Sequence, residues 1–270
     1  MTIYAVVPVH NRINLTLQFL DSLDAQDIGE DVRVLIVDDG STDGTWKTLD
    51  ARQGRCPVEI LPGNGKLWWA GSVKKALKEL TPRLKDHDWV YLGNNDTILH
   101  ENHLKYLLET ARANPNSLVG SIAIEIWPDR THNPVSSGFI IDSVNLTIRN
   151  IPSNAPGNTR VDALAGRGLL IPAEAARQVR LHPHLMPQHF ADLAATSRLA
   201  RYGFRLLVNP DVKSIQTDRA SSAQELGQIL RLSWNKRSPL YVPALVYFWL
   251  FTLRPAELVR VIPTLLRRLR

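Results

Sequence analysis

Three apolar runs near the N-terminus each stop at a polar cluster, and this repetition constrains the fold more than any other feature. Thr2-Ile3-Tyr4-Ala5-Val6-Val7-Pro8-Val9 gives way to His10-Asn11-Arg12. Val32-Arg33-Val34-Leu35-Ile36-Val37 gives way to Asp38-Asp39-Gly40-Ser41, and Trp89-Val90-Tyr91-Leu92 to Gly93-Asn94-Asn95-Asp96. Continuous runs of β-branched residues suit strands of a parallel sheet covered on both faces. A shorter run, Val58-Glu59-Ile60-Leu61, reads as a further strand. Between the runs, Asn11 to Asp24, Thr45 to Ala51 and Ala70 to Leu80 read as helices. Strand alternating with helix predicts an open α/β sheet. Ligands of such sheets bind outside the carboxyl ends of the strands. The three polar clusters are therefore expected to meet at one edge and build one site.

Beyond residue 115 short strands alternate with loops rich in Pro, Gly and Asn, and residues 150–158 read as a loop or lid. Leu193 to Tyr202 reads as a helix closed by Gly203, followed by a strand over Phe204 to Val208. The chain has 270 residues, 44% apolar and 21% charged, which excludes a fully disordered polymer. Its one cysteine, Cys56, excludes an internal disulfide framework and a multi-cysteine metal site. The N-terminus begins at once with strand residues and does not read as a signal peptide.

Charge is divided unevenly. Residues 225–270 carry eight basic side chains against Glu225 and Glu257, which accounts for the whole net charge of +6. The first 224 residues balance, so a nucleic-acid groove across the main domain is disfavoured. Within the tail, the 16 residues 238–253 are uncharged. A helix of that length reaches roughly 24 Å, short of a ~30 Å hydrocarbon core. After it, arginines alternate with Leu258, Val261, Ile262, Leu265, Leu266 and Leu269. This pattern suits contact with a membrane interface, and equally a helical hairpin packed on its own domain or on a twin copy.

The polar clusters each carry a chemical reading and a plainer one. Asp38-Asp39-Gly40-Ser41 can accept hydrogen bonds from a base or ribose, or can form an Asx-turn and cap the next helix. Asn94-Asn95-Asp96 offers one full carboxylate to a divalent cation, or is a polar turn. Gly63-Asn64-Gly65-Lys66-Leu67-Trp68-Trp69-Ala70-Gly71 opens a helix, where backbone N–H groups and Lys66 favour phosphate. Asp192 stands at a loop–helix junction and reads as a general base or as a helix N-cap. Gly166-Arg167-Gly168 reads as a flexible turn with one cation.

Taken in order, these pieces resemble an inverting family 2 glycosyltransferase with the GT-A fold, over roughly residues 1–215. The residues that carry the resemblance are Val7-Pro8-Val9-His10-Asn11-Arg12, Val37 to Asp43, Gly65 to Gly71, Leu92 to Thr97 and Ala191-Asp192. It implies a Rossmann-like, mixed and mainly parallel sheet flanked by helices, with a C-terminal helical appendage. Residues 1–115 would form the nucleotide-binding half, 116–220 the acceptor and catalytic half, and 221–270 a basic amphipathic tail. Pro8, His10, Asn11, Asp39, Lys66, Trp69, Asn95 and Asp96 would line the nucleotide and donor pocket, with Asp39 facing the base. Asp96 would hold Mg2+ or Mn2+. Asp192 would be the catalytic base, and Gly166, Arg167, Gly168 and His189 would line the acceptor or donor-sugar region.

The resemblance further implies a UDP-, dTDP- or GDP-sugar donor and a saccharide or lipid-linked acceptor; with the charge split it predicts no nucleic-acid partner, work in the cytoplasm or on the cytoplasmic membrane face, and contact of residues 225–270 with a membrane surface or with a twin copy in a homodimer. Three departures stand out: Asn94 and Asn95 replace carboxylates of the metal motif, Ala191 stands where a Glu often precedes the base, and Lys74 stands where an Asn is common. These keep open a non-catalytic nucleotide-sugar-binding or scaffold protein. A nucleotidyltransferase is disfavoured, because the loop after the first strand, His10 to Asn14, has no glycine.

Overall fold

The computed structural model describes residues 1–126, 132–216, 234–236, 238, 241–253 and 257. The first strand, β1 (Thr2–Val9), is central. Val6 faces one core layer, while Ile3, Ala5, Val7 and Val9 face the other. Both faces are covered, which is why the run is apolar throughout rather than alternating. Around it come α1 (Ile13–Asp24), β2 (Asp31–Asp38), α2 (Thr45–Asp50), β3 (Val58–Pro62), α3 (Trp68–Leu80) and β4 (Trp89–Leu92). The pairs β1–β2, β2–β3 and β1–β4 are all parallel.

The chain steps outward from β1 to β2 to β3, then returns to lay β4 on the other side of β1. The order therefore reverses between β1 and β4, and that switch point is where an open sheet leaves a crevice for a ligand.

The second half adds β5 (Thr97–Leu99), α4 (His103–Ala113), β6 (Ser117–Ile126), β7 (His132–Ser136), β8 (Gly138–Asp142) and β9 (Thr147–Asn150). It continues with β10 (Thr159–Arg160), β11 (Ala163–Leu164), β12 (Leu169–Pro172), α5 (Ala173–Gln178), α6 (Ala191–Arg201) and β13 (Arg205–Gln216). The main sheet has ten strands, ordered β10-β13-β6-β12-β4-β1-β2-β3, with β5 on β13 and β7 on β6. Here β12 enters antiparallel between β4 and β6, and β6 runs parallel to β13. A small sheet, β11-β8-β9, lies apart. Helices α3, α5 and α6 cover one face, while α1 and α4 cover the other. This is the mixed, helix-flanked architecture expected from the sequence.

The strand expected over Phe204 to Val208 runs on to Gln216, and β6 is a ten-residue strand where only short pieces were expected. One further helix, α7 (Val242–Thr252), packs on α6. Most of the basic tail, including the alternation after Leu258, lies outside the described residues. Among the described residues, no helix is long and apolar enough to cross a membrane.

Candidate functional site

The carboxyl ends of β1 and β2 are joined by an unusual turn. Asn11 and Arg12 both adopt left-handed backbone, with φ of 57° and 63°. Residues held in this region cost about 1–3 kcal/mol each and need their surroundings to hold them. Here the holder is the loop after β2. Ser41 Oγ accepts from Asn11 N at 2.7 Å, Asn11 Oδ1 accepts from Thr42 N at 2.8 Å, and Asp43 Oδ2 accepts from Ile13 N at 3.0 Å. Asp43 thus serves the start of α1 as well as its own loop. His10 Nδ1 meets the Asp39 carbonyl at 2.7 Å, and Pro8 pairs with Val37 just before the turn. Asp38 closes an Asx-turn, its Oδ1 accepting from Ser41 N at 2.9 Å.

Asp39 has a different task from its neighbour. Its Oδ1 accepts from Asn64 N at 3.2 Å and Gly65 N at 2.8 Å, and its Oδ2 from Leu67 N at 2.8 Å and Trp68 N at 3.0 Å. Gly63 lets the loop approach so closely, since a Cβ there would lie 2.6 Å from the Asp39 Cα. The next two N–H groups of α3 are also taken: Trp69 N donates to Gln188 Oε1 at 3.2 Å and Ala70 N to the Pro187 carbonyl at 2.9 Å. The sequence suggested phosphate at this helix end. The structure corrects that reading, because a carboxylate and the 187–188 segment already occupy its donors. Lys66 remains exposed on the same loop.

Trp69 joins the two halves of the molecule. Its Nε1 donates to Asn94 Oδ1 at 3.2 Å, just past the end of β4. Its ring lies against Gly166, where an added Cβ would come within 2.3 Å of Cζ2. Gly166 N in turn donates to Asp192 Oδ2 at 2.8 Å, while Asp192 Oδ1 accepts from Leu193 N at 2.9 Å. Helix α6 begins one residue before Asp192, after Phe190 in left-handed backbone at φ 67°. Asp192 is therefore not the N-cap. Burial pushes its carboxyl above the usual 3.8, opposed by the backbone N–H groups of Gly166, Leu193 and Asp192 itself and by nearby His189. Thr196, one turn on, locks α6 to β11 through Leu164.

The remaining expected residues are placed as follows. Gly168 N donates to the Leu92 carbonyl at 3.0 Å, so the 166–168 turn sits over the end of β4. Arg167 Nη1 reaches Gln216 at 2.9 Å and Glu125 at 3.4 Å, at the carboxyl ends of β13 and β6. Asn95 is nearly buried and donates through Nδ2 to Thr16 of α1 at 3.0 Å. Asp96 keeps a side chain 15% exposed, with Oδ2 3.9 Å from Arg12 Nη1 across the β1–β4 switch point. A chain of contacts thus runs from His10 through Asp39, the 64–68 loop and Trp69 to Asn94, Gly166 and Asp192. Gln188, Thr16, Glu125 and Gln216 join it without any sequence signal that singles them out.

Among the described residues, no group of three His, Cys, Asp or Glu side chains gathers as a metal cage. Asn94 and Asn95 hand their side chains to Trp69 and Thr16, which leaves Asp96 as the one carboxylate of this turn. A hard cation wants six or more oxygens, and Mg2+ is often held by one or two carboxylates with substrate phosphate and water. The residues present fit a cation completed by a bound diphosphate.

The structure thus gathers polar strand ends at the sheet's switch point and places a desolvated carboxylate near a helix start beside them. The chain belongs to glycosyl transferase family 2, whose family model matches residues 4–170. A search of curated proteins finds no match. Solved structures share the fold. GalNAc-T7 with UDP, GalNAc and Mn2+ aligns at TM-score 0.68 and 12% identity, covering 83% of this chain and 45% of that one. The mannosyltransferase PcManGT of Pyrobaculum calidifontis, with GDP-Man and Mn2+, aligns at 0.57 and 16%, covering 98% and 74%. An S. aureus TarS fragment with UDP-GlcNAc aligns at 0.58 and 12%, covering 98% and 79%. The chain thus spans less than half of the GalNAc-T7 chain.

Proposed function

We propose that this protein transfers a sugar from a nucleoside-diphosphate-sugar to an acceptor hydroxyl with inversion, in synthesis of a cell-surface polysaccharide or lipid-linked glycan. The observation that supports this most is Asp192: a carboxylate fixed by two backbone N–H groups, with a proton affinity raised by burial, one contact from the tryptophan that bridges to the donor half. Asp192 takes the proton of the acceptor hydroxyl. That oxygen forms the bond to the anomeric carbon as the bond from that carbon to the diphosphate oxygen breaks on the opposite face. The electron pair leaves with the nucleoside diphosphate.

Residues 1–115 bind the donor in this reading, and 116–220 bring acceptor and base. His10, Asn11 and Lys66 border the nucleotide, Pro8 sets the edge beneath them, and Asp39 shapes the base corner by holding the 64–68 backbone. Asn95 braces the turn that presents Asp96. Asp96 would hold Mg2+ or Mn2+ against the donor diphosphate, a cation whose chemistry is to neutralise charge on the leaving group. Trp69, Gly166, Arg167, Gly168 and His189 border the sugar and acceptor. We place the reaction at the cytoplasmic face of a membrane, because the basic charge sits in residues 225–270.

A thermal-shift panel of UDP-, dTDP- and GDP-sugars with and without Mn2+ tests donor binding. One donor should stabilise the protein, more so with Mn2+, and Asp96→Ala should remove the metal increment. Release of nucleoside diphosphate on adding acceptor tests transfer. Donor binding with no release under any acceptor would favour a nucleotide-sugar-binding protein instead.

A further inference from the structure

Exposed large apolar side chains are scattered over most of the described surface, but α7 gathers four of them. Val242, Leu245, Val246 and Leu250 are 41%, 38%, 50% and 55% exposed. Their spacing puts them on one arc of the helix. The opposite face is anchored. Ala244 and Phe248 are buried, Phe248 lies 5.6 Å from Phe190 ring to ring, and Phe251 stacks on His182 at 4.7 Å. Arg201 of α6 also donates to the Phe251 carbonyl. The helix is therefore fixed in place, with its apolar arc turned outward.

No charged residue occurs from Tyr241 to Leu253, yet basic residues bracket the helix: Lys236 and Arg237 before it, Arg254 and Arg260 after it. Trp234, just upstream, is 73% exposed. Glu257, the one acidic residue after Glu225, accepts from Ser143 Oγ at 3.3 Å and so is held against the body. An exposed apolar arc on a helix whose sequence is bracketed by basic residues, with an exposed tryptophan upstream, matches the boundary between anionic headgroups and acyl chains. Eleven residues of helix give about 16 Å, too short to span, so the helix lies along the surface. A second copy is the poorer occupant, because the sequence on both sides of the helix is net basic in every copy, which disfavours self-association and favours an anionic surface.

We propose that α7 docks this protein on an anionic lipid surface through Val242, Leu245, Val246 and Leu250. The docked helix touches Phe190, two residues before Asp192, so it also sets the α6 start near the headgroups. One consequence rests on the reading of Asp192 as base: the acceptor is an amphiphile whose hydroxyl stands just above the membrane plane. The docking itself does not depend on that reading.

The test uses the full chain and phosphatidylcholine vesicles with and without phosphatidylglycerol. Wild type should sediment with the phosphatidylglycerol vesicles in a salt-sensitive way and not with phosphatidylcholine alone, with a blue shift of tryptophan fluorescence. Val246→Asp with Leu250→Asp should lower that partition roughly tenfold or more. Both side chains are half exposed or more, so the unfolding midpoint should hold, as should nucleoside diphosphate release on a water-soluble acceptor. No wild-type binding, or equal binding by the double variant, overturns the proposal. A wild-type dimer that the double variant turns into a monomer, without vesicle binding by either, also overturns it and gives the arc to a second copy. Loss of turnover in Asp192→Asn with vesicle binding intact would leave both claims standing; intact turnover there would remove only the catalytic reading.

Discussion

Asp39 and Asp192 are both shielded carboxylates at the ends of elements, linked through the 64–68 loop, Trp69 and Gly166, yet the two regions use them in opposite ways. In the parallel half, four backbone N–H groups fill both oxygens of Asp39. Its charge becomes the anchor of a loop and the cap of α3. In the mixed half, the N–H groups of Gly166, Leu193 and Asp192 itself reach the Asp192 carboxyl, and burial still lifts it above the usual value. One carboxylate is saturated and holds structure. The other is held by burial above the usual carboxylate value and is the one read as a proton acceptor.

The sharpest way to break this comparison is at Asp192. Asp192→Asn removes a proton acceptor without changing size, and turnover should fall by about 10²–10⁴ with donor binding retained. Near-normal turnover in steady-state assays would reject the role. In wild type, kcat/KM should climb with pH as Asp192 loses its proton. Because burial raises that affinity above the usual 3.8, the acid limb should lie higher than an exposed aspartate would give. At Asp39 the loss should fall on folding and donor affinity instead. Asp39→Ala strands four N–H groups, at about 1–3 kcal/mol each where they stay shielded from water. A total of some 3 kcal/mol or more in urea unfolding, with weaker donor binding, is expected. A donor-binding defect at unchanged stability would mean that Asp39 touches the nucleotide directly.

The seam between the regions offers the next test. His103 of α4 is buried, 3.2 Å from Tyr91 Oη of β4, and its Nδ1 donates to the Lys213 carbonyl of β13 at 2.7 Å. Burial lowers its pKa from 6.5 to about 4. The unfolded chain therefore binds a proton between those values that the folded chain refuses. Stability from this group is intact above pH 6.5 and is lost progressively as pH falls toward about 4, by up to about 3 kcal/mol. His103→Gln should flatten this part of the curve of unfolding free energy against pH. An unchanged slope would show that His103 is not the group responsible.

The parallel half was the more legible one, and the reason is physical. β1, β2 and β4 are covered on both faces, so each had to be an uninterrupted apolar run, and their polar ends stand out. β6 was missed because Ser117, Gly120 and Ser121 break up its apolar pattern. Its strand character comes from the parallel ladder with β13, a partner some ninety residues away. Asp192 was legible as a carboxylate at a helix start. That Asp39 would be saturated was not, because it depends on where the backbone of 64–68 points, with Gly65 and Trp68 both at positive φ. Asn95 read as a donor ligand by its place in the motif, but its amide is turned to Thr16, and nothing in the spacing fixes that rotation.

The smallest effect tests the bridge between the two carboxylates. Gly166 stands between Trp69 and Asp192, giving its N–H to one and its open face to the other. Gly166→Ala keeps the N–H but puts a methyl 2.3 Å from the Trp69 ring, so the indole must move. Overpacking of this kind costs about 1–3 kcal/mol. The indole also carries the Nε1 bond to Asn94, so its displacement should reach the turn after β4 while Asp192 keeps its N–H donor. The expected result is a lower unfolding midpoint with a raised donor KM and a kcat that changes less. A kcat loss as deep as that of Asp192→Asn, at unchanged KM, would show that Gly166 acts on the base and that the two regions meet through Asp192 rather than through the tryptophan.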